Sequence, residues 1–350
     1  MSGLIVVLAF LFLKTPCLAE ENPPSGERML TVFWNLENLF YPEKDSTYVD
    51  VEYLPDAPKH WTWGRYRRKM NGIVSTLLSL RDCTGVFPDA IGLAEVENSS
   101  VLKNMIFTAP FSKLGYSFVH YESPDRRGID VGFLYRRKRL RVIDSRAIKV
   151  PLSGGKPTRD ILYVRTEFLA SGDTVHFFVN HWPSKFGGVE ESAVNRNSAS
   201  KTLAAAVDSV IIRSEHPAVV VMGDFNDSKE SAPVAALKEL LEFPRTDVCS
   251  PLDIAPGEIG TNKFRNRWDQ IDLIMYRGEV SVEGGCCRIY APGFLLVEDS
   301  KFSGYRVFRT FQGPHYAGGI SDHLPVFCSF IFSLLNPKAS CSLESPIGSM

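Results

Sequence analysis

The chain has 350 residues and a mass of 39.1 kDa, and 44% of its residues are hydrophobic, which is enough for one large domain with a sizeable core. Its formal net charge of -1 and isoelectric point near 6.7 exclude a strongly basic coat for nucleic acid. A phosphate-bearing substrate would therefore have to be held by local charge or by a metal ion.

Residues 1–19 resemble a secretory signal peptide. An apolar core runs from Leu4 to Leu13 and is too short for a membrane span, and Cys17-Leu18-Ala19 offers a small-residue cleavage site. The segment before this core lacks Lys and Arg, and a buried N-terminal strand or helix is the alternative. We expect an exported protein, periplasmic or secreted, with a polar segment at 20–27 and no integral membrane span in its mature chain.

Polar residues gather at the ends of the first apolar strands. The strand that starts at Met29 leads into Asn35 and Glu37. The next apolar strand, residues 89–96, contains Glu95. A carboxylate in such a strand costs free energy unless it is paired or bound to a metal, so Glu95 is a candidate metal ligand.

An amphipathic helix is predicted between these two strands. Apolar residues recur at three- and four-residue steps from Met70 to Leu78. The first turn of this helix is basic and contains Arg65, Arg67, Arg68 and Lys69. We interpret these side chains as a solvated helix end, with phosphate contact as the alternative.

The middle of the chain alternates strands with polar breaks, which predicts a substantial antiparallel sheet. The strands are expected at residues 116–121, 129–135, 140–150, 161–168 and 174–180. His181 ends the last of them. A lone histidine is usually structural, but a position at a strand end, where the other candidates also lie, favours a functional role.

The remaining candidates lie in the carboxyl-terminal half. Residues 218–223 form an apolar, β-branched run that ends in Asp224 and Asn226, and in extended geometry these two side chains can face the same side. Asp272 lies inside another apolar strand, where it needs a partner. A Gly-rich turn then presents Asp322 and His323 at the start of a strand that runs to residue 332.

Six cysteines would remain after signal cleavage. They could pair in an oxidising compartment, but a core of this size does not need disulfides, so buried thiols are expected for most of them. Their spacing does not resemble a zinc site. These cysteines are Cys83, Cys249, Cys286, Cys287, Cys328 and Cys341. Any bound metal is therefore expected to have oxygen ligands.

The candidate residues together resemble a known family. The motifs follow the order Trp34-Asn35-Leu36-Glu37, Glu95, Asn180-His181, Gly223-Asp224-Phe225-Asn226, Gln270-Ile271-Asp272 and Ser321-Asp322-His323. This order resembles the endonuclease/exonuclease/phosphatase superfamily, with its deoxyribonuclease-I-like fold, over residues 28–332. The resemblance implies an α/β protein, a four-layer α/β sandwich of two mixed β-sheets packed face to face with helices on both outer sides. Residues 333–350 would form a polar tail.

The resemblance also implies a divalent-metal site at one sheet edge. Hydrolysis of a phosphodiester places negative charge on the phosphoryl and leaving oxygens, and a hard cation held by oxygen ligands offsets that charge. Glu95 would be the main ligand of Mg²⁺ or Mn²⁺, with Asn35 and Glu37 beside it. Glu37 stands where many relatives carry Asp, which leaves its direct ligation open.

By the same resemblance, His323 would be the general base or a hydrogen-bond donor to the transition state. Asp272 would fix its tautomer and orientation, and Asp322 would orient the site or ligate metal. Which of the two histidines acts as the base stays open, because both lie in one coupled charge network.

The other implied roles concern the water and the phosphate. Asp224 would align or activate the attacking water, and Asn226 would hold a phosphoryl oxygen. His181 would stabilise the phosphate or protonate the leaving oxygen, with Asp130 as its partner.

The first hypothesis for the substrate is nucleic acid, DNA or RNA, cleaved by a monomeric nuclease. It draws on His181 and on basic residues near expected site loops, which are Arg65, Arg67, Arg68, Arg126 and Arg127. The alternative is a phosphatase or phosphodiesterase that acts on lipid headgroups or other small phosphoesters. A binding module without catalysis is disfavoured, because every site position carries a chemically competent residue.

Overall fold

The structure, a computed structural model, describes residues 26–44, 52–185, 188–252 and 258–333. The predicted signal peptide, residues 20–25, Cys341 and residues 334–350 lie outside the described residues. The first strand begins at Gly26 rather than at Met29, because Gly26 pairs with Ser333 of the last strand. Within the described ranges, no helix has the length and apolarity that crossing a membrane requires.

The described residues form nineteen strands and four α-helices. The strands are β1 (Gly26–Leu39), β2 (Ala90–Val96), β3 (Tyr116–His120), β4 (Asp130–Arg136), β5 (Leu140–Ile148), β6 (Ile161–Phe168), β7 (Asp173–His181), β8 (Ala218–Asp224), β9 (Arg245–Cys249), β10 (Asn262–Phe264), β11 (Arg267–Asp269), β12 (Asp272–Arg277), β13 (Val280–Val282), β14 (Cys286–Tyr290), β15 (Leu296–Glu298), β16 (Tyr305–Val307), β17 (Phe311–Gln312), β18 (His315–Tyr316) and β19 (Val326–Ser333). The helices are α1 (Trp63–Thr84), α2 (Ser99–Phe107), α3 (Val189–Arg213) and α4 (Ala232–Ala235).

Two large mixed sheets make up the centre of the fold. The first has the strand order β3-β4-β2-β1-β19-β14-β9, with β13 also paired to β19, and the second has the order β12-β8-β7-β6-β5. In the first sheet β1 runs parallel to β2 and antiparallel to β19. In the second sheet β8 runs parallel to β7 and antiparallel to β12.

Strand alternation explains how the sheets stack. Phe177 of β7 faces the first sheet, where its ring centroid lies 4.9 Å from that of Phe133 of β4. The next residue, Phe178, faces the opposite way and belongs to a second core cluster that includes Leu203 of α3. Because successive side chains of a strand point to opposite faces, the first sheet covers one face of the second sheet and α3 covers the other.

The outer face of the first sheet carries α1 and α2, whereas α4 packs with α3 on the second sheet. A Cβ atom on Gly132 of β4 would lie 2.9 Å from Leu102 of α2, whereas one on Gly92 of the neighbouring β2 would meet Met222 of the second sheet at 2.4 Å. Helix α1 also joins this core, and it ends at Gly85, whose φ of 75° suits glycine. The predicted four-layer sandwich is therefore confirmed.

The five described cysteines are thiols. Cys286, Cys287 and Cys328 are buried, Cys249 is half-buried and Cys83 is exposed. The expectation of buried thiols is confirmed for the first three of these residues.

Candidate active site

One end of the sandwich brings together polar residues from both sheets. The parallel pair β7–β8 places His181 beside Asp224, and the antiparallel pair β8–β12 places Asp272 opposite Asp224. His323 precedes β19, and its carbonyl accepts a hydrogen bond of 2.8 Å from the indole of Trp34 in β1. Pairing of the strands therefore assembles residues that are far apart in sequence.

Irregular backbone aims several of these side chains. Pairing of β1 with β2 is interrupted between Asn35 and Leu39, and pairing of β2 with β4 is interrupted at Glu95. Among the described non-glycine residues, six have positive φ, and four of them lie here, namely Glu37 (48°), Asn38 (54°), Glu95 (60°) and Asn226 (51°). Each such conformation costs about 1–3 kcal/mol and persists where surrounding contacts enforce it, as is common at functional sites.

His323 and Asp272 form a buried hydrogen-bonded pair. The Nδ1 atom of His323 lies 2.8 Å from Oδ2 of Asp272, and because a carboxylate can only accept, Nδ1 carries the proton. Burial alone would lower the pKa of His323, but the carboxylate of Asp272 and two further aspartates raise it well above its usual range. The imidazole is thus fixed in orientation and stabilised in its charged form.

Asp224 lies at the centre of the site and is almost completely buried. Its Oδ2 accepts a hydrogen bond of 3.0 Å from the side-chain amide of Asn35, and its Oδ1 accepts one of 2.8 Å from the backbone N–H of Asn226. Burial and the carboxylate of Asp272 raise the pKa of Asp224 to about 7. The side chain of Asn226 donates to the carbonyl of Trp182 at 2.9 Å.

His181 lies between two carboxylates, with its Nε2 atom 3.7 Å from Oδ2 of Asp224 and 3.8 Å from Oε1 of Glu95. Burial, together with nearby arginines, holds its pKa well below the usual range. Its Nδ1 atom is buried and has no hydrogen-bond partner within the described part of the chain. His181 therefore favours the neutral form, in contrast to His323.

The predicted pairing of Asp130 with His181 is wrong. The Asp130 carboxylate accepts hydrogen bonds from the backbone and side chain of Ser123, and its Oδ2 lies 3.2 Å from Nε2 of His120. The reason is register, because Gly132 of β4 pairs with His120 of β3 and brings this histidine beside the aspartate. Asp130 therefore links the end of β3 to the start of β4 instead.

Glu95 is held by main chain on one side and by an arginine on the other. Its Oε2 accepts a hydrogen bond of 2.7 Å from the N–H of Asn38, and Nη2 of Arg127 lies 3.3 Å from its Oε1. The sequence suggested Arg127 only as a general phosphate contact. The structure places it directly against the carboxylate predicted to bind metal.

Glu37 points toward the segment that follows β16. Its carboxylate accepts hydrogen bonds from the backbone N–H groups of Thr310 and Phe311 at 2.6 and 3.2 Å. Burial and the carboxylate of Asp322 raise the pKa of Glu37 to about 7. Asn35 lies close by, because its Oδ1 accepts from the N–H of Glu37 at 3.0 Å.

Lys69 corrects the interpretation of the basic helix turn. Its side chain is buried, and Nζ donates to the carbonyl of Glu37 and, at 2.7 Å, to the hydroxyl of Thr310. Burial lowers the pKa of Lys69 to about 8. The interpretation as a solvated helix end is therefore wrong for Lys69. This residue lies three positions after Tyr66 and four before Ile73, so it falls on the buried face of α1.

Two arginines that the sequence did not single out complete the surroundings. Arg309 Nη2 lies 2.8 Å from Oδ2 of Asp322, and its Nε lies 3.6 Å from Oε1 of Glu37. Arg159 is buried, and its guanidinium donates to Asp125 at 2.9 Å and to the carbonyl of Trp182 at 2.8 Å. These contacts join residues from different strands and loops. No local sequence pattern therefore indicated a role for either arginine.

Contacts link nine of the ten predicted site residues into one cluster, and Asp130 is the exception. The nine are Asn35, Glu37, Glu95, His181, Asp224, Asn226, Asp272, Asp322 and His323. Potential ligand atoms of Asp224, Asp272 and His323 lie within 4.8 Å of one another. The donor set is dominated by carboxylate and amide oxygens, and two of its buried carboxyl groups have raised pKa values, so a divalent cation with a preference for oxygen fits here.

Known proteins share this fold. The model of the Endonuclease/Exonuclease/phosphatase family matches residues 30–331. Three solved structures resemble the chain: an endonuclease/exonuclease/phosphatase from Bacteroides vulgatus (15% identity, 87% of this chain and 99% of that chain, TM-score 0.56), the mannosyl-6-phosphatase Bt3783 from Bacteroides thetaiotaomicron (16%, 87% and 100%, 0.56) and D. rerio TDP2 complexed with a single-strand DNA product (16%, 87% and 98%, 0.50). A comparison with curated proteins found no match. By the extent of the family match, the chain belongs to the Endonuclease/Exonuclease/phosphatase family of phosphoester hydrolases.

Proposed function

We propose that the chain is an exported, divalent-metal-dependent phosphodiester hydrolase, and that it is a nuclease acting on DNA or RNA. The observation that carries this proposal is the His323–Asp272 pair, 2.8 Å apart, beside the buried carboxylate of Asp224. Such an arrangement provides a fixed imidazole and a carboxylate of suitable basicity at one point, which is what attack of water on phosphorus requires.

Glu95, with Asn35 and Glu37 beside it, would hold Mg²⁺ or Mn²⁺. When bound, this cation would offset the negative charge that develops on the phosphoryl and leaving oxygens. The raised pKa of Glu37, caused by burial and by Asp322, supports the proposal, since a nearby cation would relieve the repulsion between these carboxylates.

Side chains of the protein would accept the proton of the attacking water and donate hydrogen bonds to the phosphate. Asp224, with a pKa near 7, would align the water and accept its proton. His323 presents Nε2 to the site, because its Nδ1 is engaged by Asp272, and a charged imidazole there would donate a hydrogen bond to the phosphoryl group or the leaving oxygen. The neutral His181, between Glu95 and Asp224, would orient both carboxylates and contact the phosphate.

A nucleic-acid substrate is supported by the arginines around the site. Arg127 and Arg309 are each 40% exposed or more and flank the acidic cluster through Glu95 and Asp322. Both guanidinium groups can contact the phosphates that flank a scissile bond. TDP2, which shares the fold, has been seen with a single-strand DNA product, which is consistent with this choice of substrate.

Small phosphoesters are the second candidate, since a mannosyl-6-phosphatase shares the same fold. A parallel assay of duplex DNA, single-stranded DNA, RNA, phosphoinositides, sphingomyelin and mannose 6-phosphate, with Mg²⁺ or Mn²⁺ and with EDTA, tests the proposal. We expect nucleic acid to be hydrolysed, EDTA to abolish the activity, and His323→Ala to lose it. Cleavage of small phosphoesters alone, with weak dependence on salt, would assign the second candidate.

Export is proposed from residues 1–19. Expression of the full chain followed by fractionation and N-terminal sequencing of the product tests it. We expect the recovered protein to begin at Glu20, outside the cytoplasm. A product that keeps its N-terminal residues and stays inside the cell would contradict export.

A further inference from the structure

A basic pocket adjoins the candidate active site, and most of its residues have no role in the mechanism above. Five basic and two acidic side chains contribute to its lining. The basic residues are Lys263, Arg265, Lys301, Arg306 and Arg309. We call this the Arg306 pocket. Such a local excess of positive charge, in a chain with a net charge of -1, indicates an anionic ligand.

One ion pair in the pocket serves the fold. The Nζ atom of Lys263 lies 3.0 Å from Oδ2 of Asp299 and also donates to the carbonyls of Ser303 and Tyr305 at 3.2 and 2.9 Å. The side chains of Lys263 and Asp299 are only 4% and 6% exposed. This pair therefore ties the β10–β11 hairpin to the loop between β15 and β16, and it forms a wall of the pocket.

Arg306 has a donor that the fold leaves unused. Its Nη1 atom is buried and lacks a hydrogen-bond partner among the residues that the structure describes. A buried donor on a charged group costs free energy when it is unpaired, and an anionic oxygen would recover that cost. Arg265 and Lys301 are exposed and line the same pocket, so their positive charges would also attract an anion.

Asp322 connects the pocket to the catalytic residues. Its Oδ2 lies 2.8 Å from Arg309 Nη2, and its Oδ1 lies 3.8 Å from Nε2 of His323. The backbone carbonyl of Asp322 accepts a hydrogen bond of 3.0 Å from Asn262 of β10. A ligand in the pocket would therefore lie next to Asp322, whose other side faces His323.

We propose that the Arg306 pocket binds a second phosphate group of the substrate, on the Asp322 side of the phosphoester that is cleaved. This proposal rests on the proposed phosphodiesterase function and makes it more specific. The second phosphate could be an adjacent internucleotide phosphate or a terminal monophosphate, because both present the same anionic oxygens to arginine. In either case the pocket would select substrates that carry two phosphates over those that carry one.

The experiment compares three small substrates with the wild-type protein. They are a dinucleoside monophosphate, the same dinucleotide with a terminal phosphate, and a trinucleoside diphosphate. We expect kcat/KM to be about tenfold or more higher for at least one substrate with two phosphates, mostly through a lower KM. Whether the terminal or the internucleotide phosphate gives the gain identifies its source.

Arg306→Gln should abolish this preference and leave kcat/KM for the dinucleoside monophosphate unchanged. Arg306→Lys, which keeps the charge, should restore part of the preference. Arg141→Gln is the matched control, because Arg141 lies opposite Glu167 at the far end of the second sheet and should change neither rate. Equal preference in wild type and Arg306→Gln, or an equal loss on all three substrates, would overturn the proposal.

A binding measurement separates this proposal from the proposed function. Pyrophosphate is titrated calorimetrically into wild type, Arg306→Gln and Arg141→Gln, with equal unfolding temperatures as the check on folding. We expect weaker binding only in Arg306→Gln. If none of the substrates is hydrolysed but this difference is seen, the phosphodiesterase function fails and the anion pocket stands. If Arg306→Gln binds pyrophosphate as tightly as wild type, the pocket proposal fails whatever the activity.

Discussion

The Nδ1 atom of His323 and the Oδ2 atom of Asp272 are 2.8 Å apart, although the two residues are separated by 51 positions in the chain. Asp272 is completely buried, and the contact leaves Nε2 of His323 3.9 Å from Oδ2 of Asp224. The orientation and the charge of the imidazole both depend on this aspartate.

Asp272→Asn should therefore impair catalysis much more than folding. The amide can donate to Nδ1, which favours the wrong tautomer, and it removes the negative charge that raises the pKa of His323. We expect kcat on the preferred phosphodiester to fall by roughly 10²–10⁴-fold. Steady-state kinetics and circular dichroism measure the two effects, with Asp269→Asn on β11 as the control. Retained activity would remove Asp272 from its assigned role.

The site residues on strands could be predicted because a carboxylate in an apolar strand costs free energy unless it is paired or bound to a metal. Glu95 and Asp272 lie within such runs and Asp224 ends one, and all three meet at one end of the sandwich. Strand pairing explains why such residues come together, because β7 and β8 run parallel and end side by side at His181 and Asp224.

The residues that the sequence missed depend on contacts over long separations. Lys69 meets Thr310 across 241 positions, so its burial followed from the tertiary fold rather than from the helix pattern alone. The assignment of Asp130 to His181 failed for a related reason, since the closer histidine was brought in by the β3–β4 register. The positive φ angles of Glu37 and Glu95 likewise arise from strand irregularities that composition does not indicate.

Glu95→Gln should weaken metal binding in a way that is measurable without substrate. A metal that binds only the folded protein raises its unfolding temperature, and loss of the main carboxylate reduces its affinity. We expect the Mg²⁺ or Mn²⁺ concentration at the midpoint of the thermal shift to rise by at least about tenfold. Glu97→Gln, two residues further on, should leave this midpoint unchanged. Identical titrations for wild type and Glu95→Gln would show that Glu95 is not a ligand.

Arg159→Ala should destabilise the protein by about 3–5 kcal/mol, because it leaves the buried carboxylate of Asp125 without its partner. The double variant Arg159→Met/Asp125→Asn removes both charges and keeps an acceptor for the N–H of Arg127, so it should recover much of the loss. Urea unfolding measures the free energies. Arg141→Ala, which breaks an exposed pair with Glu167, should cost about 1 kcal/mol or less. A similarly small cost for Arg159→Ala would contradict this role.

The stability of the protein should fall in mild acid partly because of His176. This histidine of β7 is buried, and its Nδ1 lies 2.9 Å from the hydroxyl of Tyr163. Burial and the charge of Arg165, its neighbour on β6, lower the pKa of His176 from 6.5 to about 4. The unfolded chain therefore takes up the proton first as the pH falls, so the contribution of His176 is complete above pH 6.5 and is lost progressively toward pH 4.

The corresponding loss in the free energy of unfolding is about 2 kcal/mol, after allowance for solvent screening. His176→Gln cannot take up this proton, so its free energy of unfolding should decline less than that of wild type between pH 6.5 and 4. His216→Gln changes an exposed histidine paired with Glu279 and is the control. Urea unfolding at several pH values gives the three curves. If the curve of His176→Gln ran parallel to that of wild type, the acid sensitivity would have to come from other groups, with His181, whose pKa burial also lowers, as the next to test.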